Sequence, residues 1–194
     1  CDVRELWTAV DRIEQLPTTV VALFLGLPRV RSTAELTDPG LQQLPRYCPK
    51  LEDLHVHIAA PDDPRRLDDQ LSQLPELSGS NYHSLWLSQV TEDHHVTWAI
   101  NTAKQLLPRS GGYRWLVFPR CGRTCEQLKT MVAAMGAAGI TVRHRVIISS
   151  PAAHTALEQQ ELQAAVRIAF PSCSQGLTWC QGDDELIKAT NDQW

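Results

Sequence analysis

The sequence has no apolar run approaching the roughly 20 residues a helix needs to cross a bilayer, which predicts a soluble chain. It has no surplus of basic residues: 18 Lys and Arg stand against 22 Asp and Glu, a formal net charge of −4. Generic nucleic-acid and anionic-membrane binders carry such a surplus, so neither nucleic acid nor membrane is expected as a partner. No C-x-x-C pair occurs among the six cysteines; the nearest pairs are Cys121-x-x-x-Cys125 and Cys173-x6-Cys180. Six cysteines in 194 residues are too few for a small disulfide scaffold. They read as reduced, buried thiols of a cytoplasmic protein. Also missing are a G-x-G-x-x-G fingerprint, a P-loop and a G-x-S-x-G elbow. Ser110-Gly111-Gly112 precedes a β-type run, so it lacks the helix-terminal amides that bind anions.

What is present is ordinary in bulk and patterned in detail. With 43% apolar and 21% charged residues, 194 residues suit one domain with a sizeable core. The chain starts at Cys1 rather than Met, which reads as a piece of a larger protein. Four β-type hexamers share one register: Val20–Leu25, Leu51–Val56, Tyr82–Leu87 and Tyr113–Phe118. Each places apolar residues at its first, fourth and sixth positions, and each starts 31 residues after the one before. Arg143-x-x-Val146-x-Ile148 and Ala165-x-x-Ile168-x-Phe170 extend the series at shorter spacings.

The segments between read as amphipathic helices. Their markers are Leu41, Leu44 and Tyr47; Leu67, Leu71 and Leu74; Val96, Ile100, Ala103 and Leu107; Leu128, Val132 and Met135; and Leu157, Leu162 and Val166. Thr91 and Thr124 are candidate N-caps, and Gly136 or Gly139 a candidate stop. Val3, Leu6, Val10 and Ile13 predict an opening helix. Strand-to-strand connections of this length imply crossovers and parallel strands. A central strand of a doubly wound sheet is apolar on both faces. Here Glu52, Asp53, His55 and His57, then His83, Ser84 and Ser88, interrupt the runs. One wet face favours a solenoid, with strands on one side and helices on the other.

Tyr113-x-x-Leu116-x-Phe118-x-x-Cys121 resembles the leucine-rich-repeat signature L-x-x-L-x-L-x-x-N/C with aromatic substitutions, and Ala165–Cys173 is similar. Pro28, Ala59 and Val90 stand where the other repeats would carry Asn or Cys. Leu41–Val56 resembles the long intracellular repeats of NOD-like receptors, F-box proteins and ribonuclease inhibitors. The resemblance implies an α/β leucine-rich-repeat-like solenoid, with its parallel sheet on the concave face and helices on the convex face. It also implies that the Asn/Cys side chain bonds backbone in the turn after the strand. The expected organisation is a single domain over 1–194: an opening helix over 1–19, about six strand–helix repeats over 20–173, and an irregular C-terminal cap over 174–194.

In that arrangement the residues between the core positions point outward. They include Ala22, Phe24, Asp53, His55, Ser84, Trp86, Trp115, Val117, Arg145, Ile147, Arg167 and Ala169. Two Trp flanked by His and Arg have the composition of a protein-binding hot spot. The candidate partner-binding residues are therefore Asp53, His55, His57, Trp86, Arg114, Trp115 and Arg145; the competing reading covers both Trp with a loop or another domain. His55-x-His57, with His83 and Asp53, has metal-site spacing, but solvated histidines explain it as well, and no metal or cofactor is expected. His94-His95 read as solvated. Cys121 and Cys125 flank a strand-to-helix turn, where a helix N-terminus lowers a thiol pKa, yet no His is placed beside them. No catalytic residue is assigned.

The expected function is a non-catalytic recognition module that meets a protein partner or another domain of its parent chain. Resemblance to NOD-like receptors implies a ligand-sensing or autoinhibitory repeat domain in innate immunity. Resemblance to F-box proteins implies substrate capture for ubiquitin ligation. A different class is a small doubly wound α/β enzyme working at Gly26, Ala59, Ser88, Cys121 and Ser149, a set with no acid–base pair. A structural spacer is the third reading.

Overall fold

The computed structural model describes residues 5–8, 22–26, 53–60, 82–106, 111–151, 154–182, 185–186 and 189, with side chains for Ile58, Ala60 and from Ser84 onward. Seven strands form one sheet: β1 (Glu5–Thr8), β2 (Ala22–Gly26), β3 (Asp53–Ala59), β4 (Tyr82–Ser88), β5 (Tyr113–Phe118), β6 (Val142–Ser149) and β7 (Leu177–Cys180). They lie in chain order, β1 through β7. Every neighbouring pair is parallel. Three described helices cross between the later strands: α1 (Asp93–Gln105), α2 (Cys125–Ala137) and α3 (Ala156–Ala169).

The 31-residue spacing survives at three steps of the register and slips by two residues between β3 and β4, where Val56 rather than Leu54 stands opposite Leu85. Leu23 pairs with Leu54, Leu85 with Leu116 and Val146 with Leu177, each 31 apart. Leu116 and Val146 are 30 apart, and Val56 and Leu85 are 29 apart. The irregular steps have a local cause. Tyr113 pairs with Val142 but Trp115 with Arg145, so β6 carries one extra residue. Such a bulge re-aims the side chains before it. It puts buried Val142, rather than Arg143, at the first core position beside Tyr113.

Three sequence expectations are corrected here. The opening helix over 1–19 fails at Glu5–Thr8, which is β1, with Leu6 opposite Leu23; Val10 and Ile13 lie outside the described residues. Trp7 and Thr8 have strand propensity, and pairing to a ready edge outweighs a weak helical period. The strand expected at Ala165–Phe170 belongs to α3, so Arg167 and Ala169 are not sheet positions. Helix wins because Thr155 and Glu158 form a capping box and Leu162 and Val166 fall one turn apart on the buried side. The sixth predicted strand instead lies at Leu177–Cys180, inside the stretch expected as an irregular cap over 174–194. The helices predicted from Leu41 and Leu67 lie outside the described residues.

The helices pack on one side. Trp98, Ala99 and Ala103 of α1, Leu128, Met131, Val132 and Met135 of α2, and Leu162 and Val166 of α3 share a core with Leu85, Leu87, Tyr113, Leu116, Phe118, Val146 and Ile148. The Tyr113 hydroxyl, inside that core, donates to the Ala103 carbonyl at 2.7 Å. The α1 stripe is rotated from the predicted one: Trp98, Ala99 and Thr102 are buried, Val96 and Ile100 only partly. Leu157, expected in the core, is exposed. Glu92 rather than Thr91 is the N-cap of α1. His95 is not solvated: it is buried, and its Nδ1 accepts from the Thr91 and Glu92 amides at 3.3 and 3.2 Å, satisfying donors that a helix start leaves open. Thr124 caps α2 as expected, and Gly139, at φ +81°, supplies the left-handed turn after it.

Side-chain bonds join successive strand–helix units from β4 onward. The Cys121 thiol donates to the Val90 carbonyl, 31 residues back, at 3.3 Å. Lys129 reaches Glu161, 32 residues on, at 2.8 Å. His144 meets Ser174 at an offset of 30, and Ser149 Oγ donates to the Gly182 carbonyl at an offset of 33. Arg123 is 3% exposed; it donates to the Thr91 carbonyl at 3.2 Å and to Asp93 at 2.5 Å. Asp93 is solvated, so removing Arg123 chiefly strips a hydrogen bond from a turn carbonyl. Arg123→Ala is expected to cost about 1–3 kcal/mol, read as a lower urea midpoint. An unchanged midpoint would mean that the Thr91 turn is held by other groups.

Candidate functional site

The strand positions between the core residues build the other face of the sheet. The register sets Trp7, Phe24, His55, Ser84, Trp115 and Arg145 in one row. The next row holds Gly26, His57, Trp86, Val117, Ile147 and Thr178. The backbone thus gathers His55, His57, Trp86, Trp115 and Arg145 into two adjacent rows, with Asp53 at the start of β3. The side chains of Asp53, His55, His57 and His83 lie outside the described residues, as does the metal reading built on them. Among the described residues, no cluster of three or more His, Cys, Asp or Glu could hold a metal ion.

The expected concave-face surface is only partly open. Trp115 is 1% exposed and shares a small core with Val117, Ile147, Cys180 and Leu186. Trp86 and Ala189 pack against that core and remain half-buried. The sequence assigns Trp115 both an outward position and a covered alternative, and burial is what the structure gives. The cover includes Leu186, from the stretch predicted as a terminal cap. The accessible remainder is Trp86, Arg114, Arg145 and Thr178, all half-buried.

Around Trp115 stand arginines of β5 and β6, with Glu185 beside the covering Leu186. The Arg114 guanidinium carbon lies 5.4 Å from the Trp115 ring centroid, within cation–π range. Arg145, the register partner of Trp115, donates through Nη2 to the Gln175 side chain. Exposed Arg143 lies nearby, with its Nη2 close to Gly111. Sequence reasoning named Arg114 and Arg145 but missed Arg143, His144 and Gln175. The signal was available: Arg143-His144-Arg145 is a basic run at the start of a strand.

The strand ends considered for an enzyme are tied into the fold. The Cys121 amide donates to the Ser149 carbonyl, and its thiol is held on Val90. Burial pushes that thiol up to about 12, against a smaller downward pull from Arg123. It is therefore a protonated donor to the Val90 carbonyl. Cys125 was expected to gain from the α2 N-terminus, yet burial raises its pKa as well, and the thiol donates to the Glu158 carbonyl at 3.3 Å. Cys121, Cys125, Cys173 and Cys180 are all free thiols.

No helix among the described residues is long and apolar enough to cross a membrane. No family model matches the chain, and no curated protein matches it.

Proposed function

We propose that the chain is a non-catalytic protein-recognition module, built as a leucine-rich-repeat-like solenoid and working in the cytoplasm. The observation that carries this reading is the repeat logic of the contacts: parallel strands in chain order, with side-chain bonds that step one repeat at a time. Architectures in which each unit touches only its neighbours present extended binding surfaces. A doubly wound enzyme places its site where strand order reverses, and the described strands have no reversal. Free thiols are the state a reducing compartment maintains. Within this reading, the chain serves as a ligand-sensing or autoinhibitory repeat domain of the NOD-like-receptor kind; the alternative is the substrate-binding repeat domain of an F-box protein, and the resemblance of Leu41–Val56 is shared by both.

The accessible sheet face should do the binding, with Trp86 as its apolar anchor. Peptides selected from a random library on the intact chain are expected to lose about tenfold or more in affinity on Trp86→Ala, the scale of a hot-spot aromatic. The unfolding midpoint should fall less than for a fully buried Trp. Selected peptides that bind Trp86→Ala and Arg145→Ala as tightly as the parent would remove this face from recognition. Failure to select any peptide would count against the module itself.

A further inference from the structure

The N-terminal ends of β5, β6 and β7 carry a charge distribution unlike the rest of the chain. Residues 111–118, 138–148 and 170–179 contain Arg114, Arg143, His144 and Arg145 and no Asp or Glu, in a protein of net charge −4. The fold brings these segments side by side. Trp115 pairs with Arg145 across β5 and β6, and the bulge sets Arg143 and His144 opposite the start of β5. The Ser174 and Gln175 amides donate to the Arg143 and His144 carbonyls, bringing the approach to β7 alongside. Arg143 is exposed, and Arg114, His144 and Arg145 are half-buried.

Two described cations have acidic partners: Arg123 has Asp93, and Lys129 has Glu126 and Glu161. Arg143 and Arg145 have no carboxylate among the described residues. Arg145 spends Nη2 on the neutral Gln175 oxygen, and its Nε is buried without an acceptor. Arginine forks bind carboxylates in bidentate fashion. Like charges on adjacent segments repel, and an anion placed between them relieves that repulsion.

We infer that this shelf takes an acidic peptide segment of the partner, with Arg143 and Arg145 as its carboxylate contacts. The inference deepens the recognition reading and rests on it. Its size selects the ligand. Three strands about 4.8 Å apart make a shelf roughly 10 Å wide, the reach of a few residues of extended peptide. A nucleic-acid site commonly engages roughly 6–10 phosphates, and the acidic remainder of the chain would repel the strand running beyond the shelf. Trp86, one row further along the same face, supplies the neighbouring apolar contact.

The test uses the full chain, a fluorescently labelled short polyglutamate peptide, a polyglutamine peptide of equal length, and a single-stranded oligothymidylate. Polyglutamate is expected to bind, to weaken as salt rises, and to lose about tenfold in affinity on the double substitution Arg143→Glu and Arg145→Glu. Arg143→Glu alone changes an exposed side chain, and a severalfold loss there keeps the test valid if the double variant unfolds. Polyglutamate binding that neither substitution alters, equal binding of polyglutamine, no polyglutamate binding, or tighter binding of oligothymidylate would each overturn the inference. The recognition reading would outlive that result if library peptides lacking Asp and Glu still bound through Trp86.

Discussion

Trp115→Ala is expected to lose about 3–5 kcal/mol of folding stability, the range for removing a fully buried Trp. The ring is 1% exposed on the sheet face opposite the helices, against Val117, Ile147, Cys180 and Leu186. Truncation would leave a cavity bounded on one side by backbone of β4, β5 and β6, which cannot collapse to fill it, so the cost should approach the full transfer and cavity terms. The measurement is a urea titration of Trp115→Ala beside Trp86→Ala. Trp86 is half-buried and packs at the edge of the same cluster, so its loss should be distinctly smaller. Equal midpoints for the two variants would show that the two rings are equally covered in solution. A Trp115→Ala midpoint near that of the parent would show that the C-terminal segment does not close over this face. Leu186→Ala should destabilise in the same direction as Trp115→Ala, since both empty one cluster.

How far the fold was legible follows from what a strand period can and cannot say. The positions of Leu116, Phe118, Leu85 and Leu87 were readable because the described strands β4 and β5 bury one face against the same helix layer, which forces one apolar spacing on both. Thr124 was readable as a cap because its chemistry is local. Val142 was not, because a bulge moves the core position by one residue without leaving a mark in composition. β7 was missed for a related reason. Leu177-Thr-Trp-Cys180 offers only two large apolar residues, whereas Ala165–Phe170 mimics the strand spacing inside a well-capped helix. β1 was misread because four residues are too few for one period to exclude the other. The candidate site divides in the same way. Alternation along β5 and β6 put Trp115, Val117, Arg145 and Ile147 on one face correctly. Whether that face is wet depends on a non-repeating segment, Leu186 and its neighbours, whose destination no period encodes. Arg143 was legible only as part of the basic run Arg143-His144-Arg145, and the bulge in β6 is what sets it opposite the start of β5.

The helix layer has its own point of least tolerance. Gly136 lies in the last turn of α2, and a Cβ built there would stand 2.7 Å from the Ala169 carbonyl oxygen and 2.9 Å from its Cα. Both are backbone atoms of α3 and cannot rotate away. By intrinsic propensity alone, Gly136→Ala should stabilise an interior helical position by about 1 kcal/mol. The close approach reverses that sign: opening the α2–α3 contact should cost about 1–3 kcal/mol, the range for overpacking a tight interior. Gly136→Leu should cost about 3 kcal/mol or more, because its branch must displace the end of α3 as a whole. That displacement would also disturb Phe170, which is buried directly after Ala169 and whose amide holds the Val166 carbonyl. Thermal unfolding of the two variants checks the argument through its sign as well as its size. A Gly136→Ala protein that melts above the parent would mean that α2 and α3 part freely, and that the repeats are joined mainly through the sheet. A graded loss from Ala to Leu would place part of the inter-repeat stability in the helix contact. It would also make the Gly136–Ala169 approach the constraint that sets how closely the last two described helices stack.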